Sequence, residues 1–452
     1  MKKAILFLAM VLAQTAAFAE YVTNGDGTTY TFATLADIPE AGIVATPPPY
    51  PSLPTEYRLT TSITIAAGDR FELDEYAFVD LDGGVAFTID GEASFIPLDA
   101  CLIRADEENT VVRINCSQHV DFEHVSFVKT GVEVRGDGGV TFRNCYFFSH
   151  DGSSAAALYF ISAGAPSVVE DCMFGDCRKA AIGSAANASQ PLTIRNCKVS
   201  RNSVANGNIP QINVTAANPL VIESTTVTGI PDNNMVGGIG ISNFMRYDAD
   251  VTIKDCTIED NRYGIGLVGP AQKIRIEGNT LLNNCHETNP MNGGSGISLY
   301  DPYQLTCATI TANHIEGSLW GITIIGCKDV NVGCLEEGDR YNPGLNVFRD
   351  NGFDGQLYDL YNNSSLTVYA QNNTWNVGEQ TEEQIETVVF HKNDDASLGE
   401  VIFMPAATTT SVAERLAPSL AEGPSFNLQG QRVDNPTRPG LYIRNGRKVV
   451  RR

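Results

Sequence analysis

After its first twenty residues the sequence has no apolar run approaching the roughly 20 residues that a bilayer-spanning helix needs, so membrane insertion is not expected. Basic residues are scarce. Against 53 Asp and Glu stand 31 Lys and Arg, a formal charge of −22, which argues against nucleic acid and against anionic lipid as partners. Helical periodicity is missing between the apolar segments. That removes doubly wound sheets and β/α barrels, both of which require a helix after most strands. The 11 cysteines include no Cys-x-x-Cys pair and no Cys/His metal spacing. Their odd number, in a chain too long to need staples, argues against a disulfide framework. The six histidines, at positions 119, 124, 150, 286, 314 and 391, form no catalytic spacing.

The first segment reads as an export signal over residues 1–19. Lys2 and Lys3 are followed by the apolar stretch Ala4 to Ala13, and Ala17-Phe18-Ala19 supplies small residues before Glu20. The expected location is therefore secreted or at the outer cell surface.

A short motif recurs along the body: an apolar-polar-apolar strand, a charged residue, Asn or Asp, then Cys or Asn, any residue, and a large apolar residue. It appears as Val140-Thr-Phe-Arg-Asn-Cys-Tyr-Phe147, Leu192-Thr-Ile-Arg-Asn-Cys-Lys-Val199 and Val251-Thr-Ile-Lys-Asp-Cys-Thr-Ile258. Alignment gives one column, Val125, Cys145, Cys172, Cys197, Thr225, Cys256, Asn279, Asn313, Asn346 and Asn373, with members 20 to 34 residues apart. Two residues later runs an apolar column from Phe127 to Trp375, and three residues earlier another from Phe122 to Ile310. A following strand, often introduced by Gly, adds Val132, Leu158, Ile182, Ile212, Ile239, Ile265, Ile297 and Ile322. Period-two alternation with like residues at one spot per repeat is the pattern of a solenoid of stacked parallel strands. The expected fold is all-β: a right-handed parallel β-helix of about ten or more coils, with a small C-terminal β module.

The Cys column reads as packing and its Asn end as a side-chain amide ladder. Two residues before that column, Glu123, Arg143, Glu170, Arg195, Glu223, Lys254 and Glu277 alternate in sign without exception. Arg143, Arg195 and Lys254 are therefore expected in a structural charge ladder and not as catalytic bases.

Residues 20–100 read as an N-terminal cap with first coils, 101–405 as the β-helix, and 406–425 as a linker rich in Ala, Thr, Ser and Pro. The segment from Glu422 to Arg452 changes character, with seven Lys or Arg against two acids. Within 426–452, Asn-Gly suggests a hairpin turn between short strands.

The coils from about 100 to 377 resemble the pectin-lyase-like right-handed β-helix superfamily, especially secreted proteins of Bacteroidetes type. The Asn373-Thr-Trp375 coil and the ending Leu398-Gly-Glu-Val-Ile-Phe-Met-Pro405 are similar to their closing segment. The tail, with Asn427-Leu-Gln-Gly-Gln-Arg-Val433 and Gly440-Leu-Tyr-Ile443, resembles a type IX secretion sorting domain, which implies export machinery as a partner. The superfamily includes polysaccharide lyases, hydrolases and esterases as well as non-enzymatic binding proteins. The polygalacturonase-like set of Asn-Thr-Asp, Asp-Asp, Gly-His-Gly and Arg-Ile-Lys is represented only by Asp394-Asp395, outside the coil register. Lys254 and Arg275 lie on adjacent coils, where a lyase base would be needed, yet no Asp cluster accompanies them.

Coil lengths point to a site. From the Cys/Asn column to the next Ile strand the separation is 15 residues after Cys197, 14 after Thr225, 9 after Cys256 and 18 after Asn279. Excess residues emerge as loops at one corner, so three long loops around a short connection predict a cleft. Its walls would be Asn206-Gly-Asn208, Pro231-Asp-Asn-Asn234 and His286-Glu-Thr-Asn289. The expected ligand contacts are Asp232, Asn233, Asp260, Arg262, Tyr263, His286 and Glu287, polar groups around an aromatic that suit a sugar. Carbohydrate binding or surface interaction without catalysis is the favoured expectation, with a polysaccharide or cell-surface glycan as partner. The alternative is a lyase or hydrolase acting on an acidic polysaccharide. No cofactor is evident, and calcium is the one that the acidity leaves open.

Overall fold

The computed structural model describes residues 20–408 apart from 51, 106–109, 153 and 272, together with the backbone of strands at 425–426, 432–433, 440–444 and 447–451. The proposed export signal lies outside the described residues.

Each coil contributes one strand to each of three long sheets. In the coil of Cys256 these are Asp250–Lys254, Thr257–Glu259 and Ile265–Val268, which belong to sheets 1, 2 and 3 in that order. Sheet 1 has 14 strands, from Thr29–Tyr30 to Val401–Ile402. Sheet 2 has 13, from Ile43–Thr46 to Val347–Arg349, and sheet 3 has 14, from Glu20–Val22 to Val389–Phe390. Neighbouring coils pair parallel and in register, as Ile253 with Ile276 and Ile265 with Ile297. This is the right-handed parallel β-helix that the columns predict. The one antiparallel pairing within the three sheets is Ile43–Thr46 on Thr55–Leu59, at the N-terminal end.

The repeated Asn or Asp of the motif has a conformational cause. His124, Asn144, Asp171, Asn196, Ser224, Asp255, Ala312, Leu345 and Asn372 all sit at the corner between sheets 1 and 2 with φ between +49° and +63°. Asn and Asp tolerate this left-handed region better than most residues, so a one-residue corner selects them.

Inside the coils the apolar columns are buried throughout. Phe95, Phe122 and Phe142 stack with successive centroids 4.4 Å apart, and Phe127, Phe147 and Phe174 at 4.8 and 4.7 Å. At the N-terminal end the short helix Phe32–Ala36 lays Phe32 against Tyr57, Phe71 and Phe87, covering an otherwise open core. Nine cysteines are buried and all eleven are free thiols. Burial pushes the Cys256 thiol up to about 12, so it packs as a neutral side chain and donates weakly to Lys254 O at 3.2 Å.

Below Cys256 the column becomes hydrogen-bonded. The side-chain amide of Asn279 donates to Asn313 Oδ1, Asn313 to Asn346 Oδ1, and Asn346 to Asn373 Oδ1, each at 2.9 Å. The outward charges are in register as well: Arg143 with Glu170, Glu170 with Arg195, and Glu223 with Lys254. Arg195 and Lys254 stand 2.8 Å from their carboxylate partners. At this exposure solvent screens each pair, and the charges serve chiefly to fix register.

The C-terminal strands form a separate four-stranded antiparallel sheet, in which Gly440–Arg444 pairs with Arg447–Arg451 and Arg444 faces Arg447 across the Asn-Gly step. Among the described residues no helix is long and apolar enough to cross a membrane.

Candidate functional site

The corner between sheets 2 and 3, where the long loops leave, carries a second polar ladder that the sequence reading missed. Asn202, Asn261, Asn284 and Asn351 are buried there, each five residues after its partner in the Cys/Asn column. In the coil of Thr225 the equivalent residue is Ile230, and Gln211 fills the vacant rung. Its amide donates to Asn261 Oδ1 at 2.9 Å, while its Oε1 accepts from the Asn202 amide. Asn261 then donates to Asn284 Oδ1 at 3.1 Å. The repeated five-residue offset was the available signal.

This corner also holds the residues expected at the cleft. Asp260 occupies a left-handed corner position with φ +56°, like Asp176 and Asn283 on other coils, so its residue type follows from the turn. The first two wall loops are joined instead of standing apart. Asn206 donates to Asn234 Oδ1 and accepts from Met235 N, and Asn233 donates to Ser203 O. Arg262 closes what remains of the gap: it donates to Asn208 Oδ1 at 2.7 Å on one side and to Asn292 O on the other. Glu287 accepts from Asn289 N and shapes its own loop, the His286 backbone donates to Asn261 O, and Asp232 is solvent-exposed. Asp232, Asn233, Asp260, His286 and Glu287 do not line the concavity beside this corner. Arg262 and Tyr263 do.

That concavity, of about 670 Å³, lies beside the corner on the outer face of sheet 3. The in-register outward column here is Asn213, Gly240, Gly266, Ser298, Thr323 and Tyr361, small residues that leave a trough ending at an aromatic. Tyr263 lies on this bed. A Cβ at Gly266 would stand 2.8 Å from its ring, and one at Gly237 would collide with it. Glycine weakens strands by roughly 0.5–1 kcal/mol relative to alanine, so Gly266 is a cost that leaves room for the ring, and Gly240 one that leaves room for Pro210 beside the Tyr263 hydroxyl. Across the trough Trp320 stacks on Tyr361 with centroids 5.0 Å apart and packs on Phe353 and Tyr358. Phe244, 67% exposed, and Met291, 87% exposed, stand at the rim.

Among the described residues the lining contains neither carboxylate nor imidazole, and Arg262 is its one ionised side chain. Burial pushes the Tyr263 phenol up to about 12, against a smaller opposing effect of Arg262, so the ring is neutral at physiological pH. Arg262 Nε is enclosed and without an acceptor. Lines of Asn, Ser and Thr around aromatic faces can stack and hydrogen-bond a ligand. Sequence reasoning missed Trp320, Tyr361, Asn213 and Phe244, because the outward positions of sheet 3 keep no one residue type from coil to coil. Among the described residues no group of three His, Cys, Asp or Glu side chains is placed to hold a metal ion.

The family model described as right handed beta helix region matches residues 86–229 and 130–301. No curated protein matches the sequence. Among solved structures, the periplasmic alginate epimerase AlgG is 13% identical, with 83% of each chain covered and a TM-score of 0.46. A mannuronic acid specific polysaccharide family 6 lyase from human gut microbiota is 12% identical, over 86% of this chain and 94% of that one, with a TM-score of 0.33. At these values the likeness is one of fold alone.

Proposed function

We propose that this right-handed parallel β-helix protein binds a carbohydrate chain in the trough on the outer face of sheet 3, without cleaving it. The observation that carries the reading is the Tyr263 ring laid across a glycine bed, with Trp320 and Tyr361 opposite and amide and hydroxyl side chains between. A sugar ring has apolar C–H faces and a rim of hydroxyls, so flat aromatics flanked by short polar groups match it on both counts. The trough runs along six successive strands, about 24 Å at the ~4.8 Å strand spacing, which suits a chain over a single sugar. A lining without carboxylate or imidazole supports binding over general acid–base cleavage. Export is part of the proposal: the charged and apolar start of residues 1–19 and the sorting-like text of 426–452 support a protein that works outside the cytoplasm or on its outer surface, as in secreted proteins of Bacteroidetes type.

A screen of plant, algal and host glycans, read for both binding and cleavage, tests the assignment. Tyr263→Ala should lower affinity for any captured glycan at least tenfold. Tyr146→Ala, on the outer face of sheet 2, should leave it unchanged. Equal affinity in the two variants places the site elsewhere, and release of unsaturated or reducing ends overturns the non-catalytic reading.

A further inference from the structure

We propose that residues 286–294 form a strap over the trough which a ligand must unlatch, so that binding at this site is gated by the protein's own backbone. The inference rests on the carbohydrate-binding reading of the trough for its biological use, but its mechanical part does not.

The strap is the longest connection in the series. It leaves sheet 3's neighbour after Leu282 and returns at Ser295, and Pro290, Met291, Asn292 and Gly293 line the trough. Its ends are anchored by main-chain bonds, His286 N to Asn261 O and Leu319 N to Gly294 O. Between them the strap's internal bonds are short-range: Asn289 N to Glu287 Oε1, Met291 N to Asn289 Oδ1 and Asn292 N to Asn289 O. Among the described residues two hydrogen bonds join its middle to the rest of the molecule, and both donors belong to the trough. Trp320 Nε1 donates to Pro290 O at 3.3 Å, and an Arg262 Nη2 hydrogen goes to Asn292 O. At the return the backbone passes Gly293 and then Gly294, whose φ is +88°, a conformation open to glycine and a natural pivot.

The latched arrangement leaves Arg262 imperfectly satisfied. Its Nε is enclosed without an acceptor while Nη2 is spent on a strap carbonyl. An approaching pair of oxygens, from a carboxylate or from adjacent hydroxyls, would engage Nε and Nη2 together in the fork geometry that guanidinium favours. It would displace Asn292 O in doing so. A ring stacking beside Trp320 would likewise compete for the space that Pro290 fills. The ligand thus takes over the two contacts that hold the strap, and an apolar side chain that is 87% exposed, Met291, swings at its tip. Such a gate slows association and dissociation alike.

Hydrogen exchange tests the latch with no ligand present. In Trp320→Phe, which keeps an aromatic ring and removes the donor, amides of 287–293 should exchange about fivefold to tenfold faster, with amides of the flanking strands unchanged. A second variant replaces 287–292 with a short Gly-Ser link and removes the strap outright. Against a glycan captured in the screen, association and dissociation rates should both rise severalfold. Unchanged exchange in Trp320→Phe overturns the latch. Unchanged rates in the strap-less protein overturn the gate. Faster exchange together with capture of no glycan by the wild type leaves the latch standing and refutes the carbohydrate reading.

Discussion

Replacing Asn313 measures what the interior amide ladder contributes. Its Oδ1 accepts from Asn279 N at 3.0 Å and from the Asn279 amide at 2.9 Å, and its own amide donates to Ile276 O at 2.9 Å and to Asn346 Oδ1 at 2.9 Å. Asn313→Leu keeps the volume but leaves the Asn279 N–H and one hydrogen of the Asn279 amide without acceptors. Each orphaned buried group costs about 1–3 kcal/mol, so a loss on the order of 4 kcal/mol is expected after partial relaxation. Asn313→Cys should fall between, at about 2 kcal/mol, because four rungs of the same column already hold cysteine and sulfur is a weak acceptor. Cys256→Asn extends the ladder upward, where Cys256 N already donates to Asn279 Oδ1, and should at least match the wild type. A solenoid need not unfold as one unit, so the assay must be local. The protein's two tryptophans, Trp320 and Trp375, lie in the coils around Asn313, and their fluorescence during urea unfolding reports on this region. An Asn313→Leu midpoint equal to that of the wild type would refute the reasoning and leave the column a matter of packing volume.

Acid sensitivity should trace to His150. It is 1% exposed, neither ring nitrogen has a partner among the described residues, and burial, aided by Lys179 and opposed by Asp151 and Glu133, pushes it from 6.5 to about 4. Above pH 6.5 both folded and unfolded forms are neutral there. As pH falls from 6.5 to about 4 only the unfolded chain takes the proton, so about 3 kcal/mol is lost across that window. His150→Cys, which matches Cys177 on the next rung, should remove this slope from urea midpoints measured between pH 7 and 4, and parallel curves for the two proteins would refute the assignment. Deleting 426–452 should leave the β-helix folded, since those strands pair among themselves, and should trap the protein in the periplasm of its host. Normal arrival at the cell surface would remove the sorting role.

The coil register was legible in the sequence because it repeats. Stacking puts one residue of each coil in the same surroundings, so Cys145 to Asn373 and Ile212 to Ile322 recur as columns. The alternating charges from Glu123 to Glu277 follow for the same reason, each facing its neighbour directly across a strand pair. The long loops and their corner were legible as well, by counting. Where those loops go was not. Asn206 bonding to Asn234, and Arg262 reaching both Asn208 and Asn292, join residues 28 to 54 positions apart that occur once each and repeat no pattern. Those contacts lie at the corner where Asp232, Asp260 and His286 were expected to meet a ligand. The concavity arose instead on sheet 3, where the outward faces of six strands happen to carry small residues and the Tyr263 ring turns back over Gly266. Repetition writes the β-helix into the sequence one coil at a time. The site depends on single long-range contacts among loops and outward side chains, and only folding brings those together.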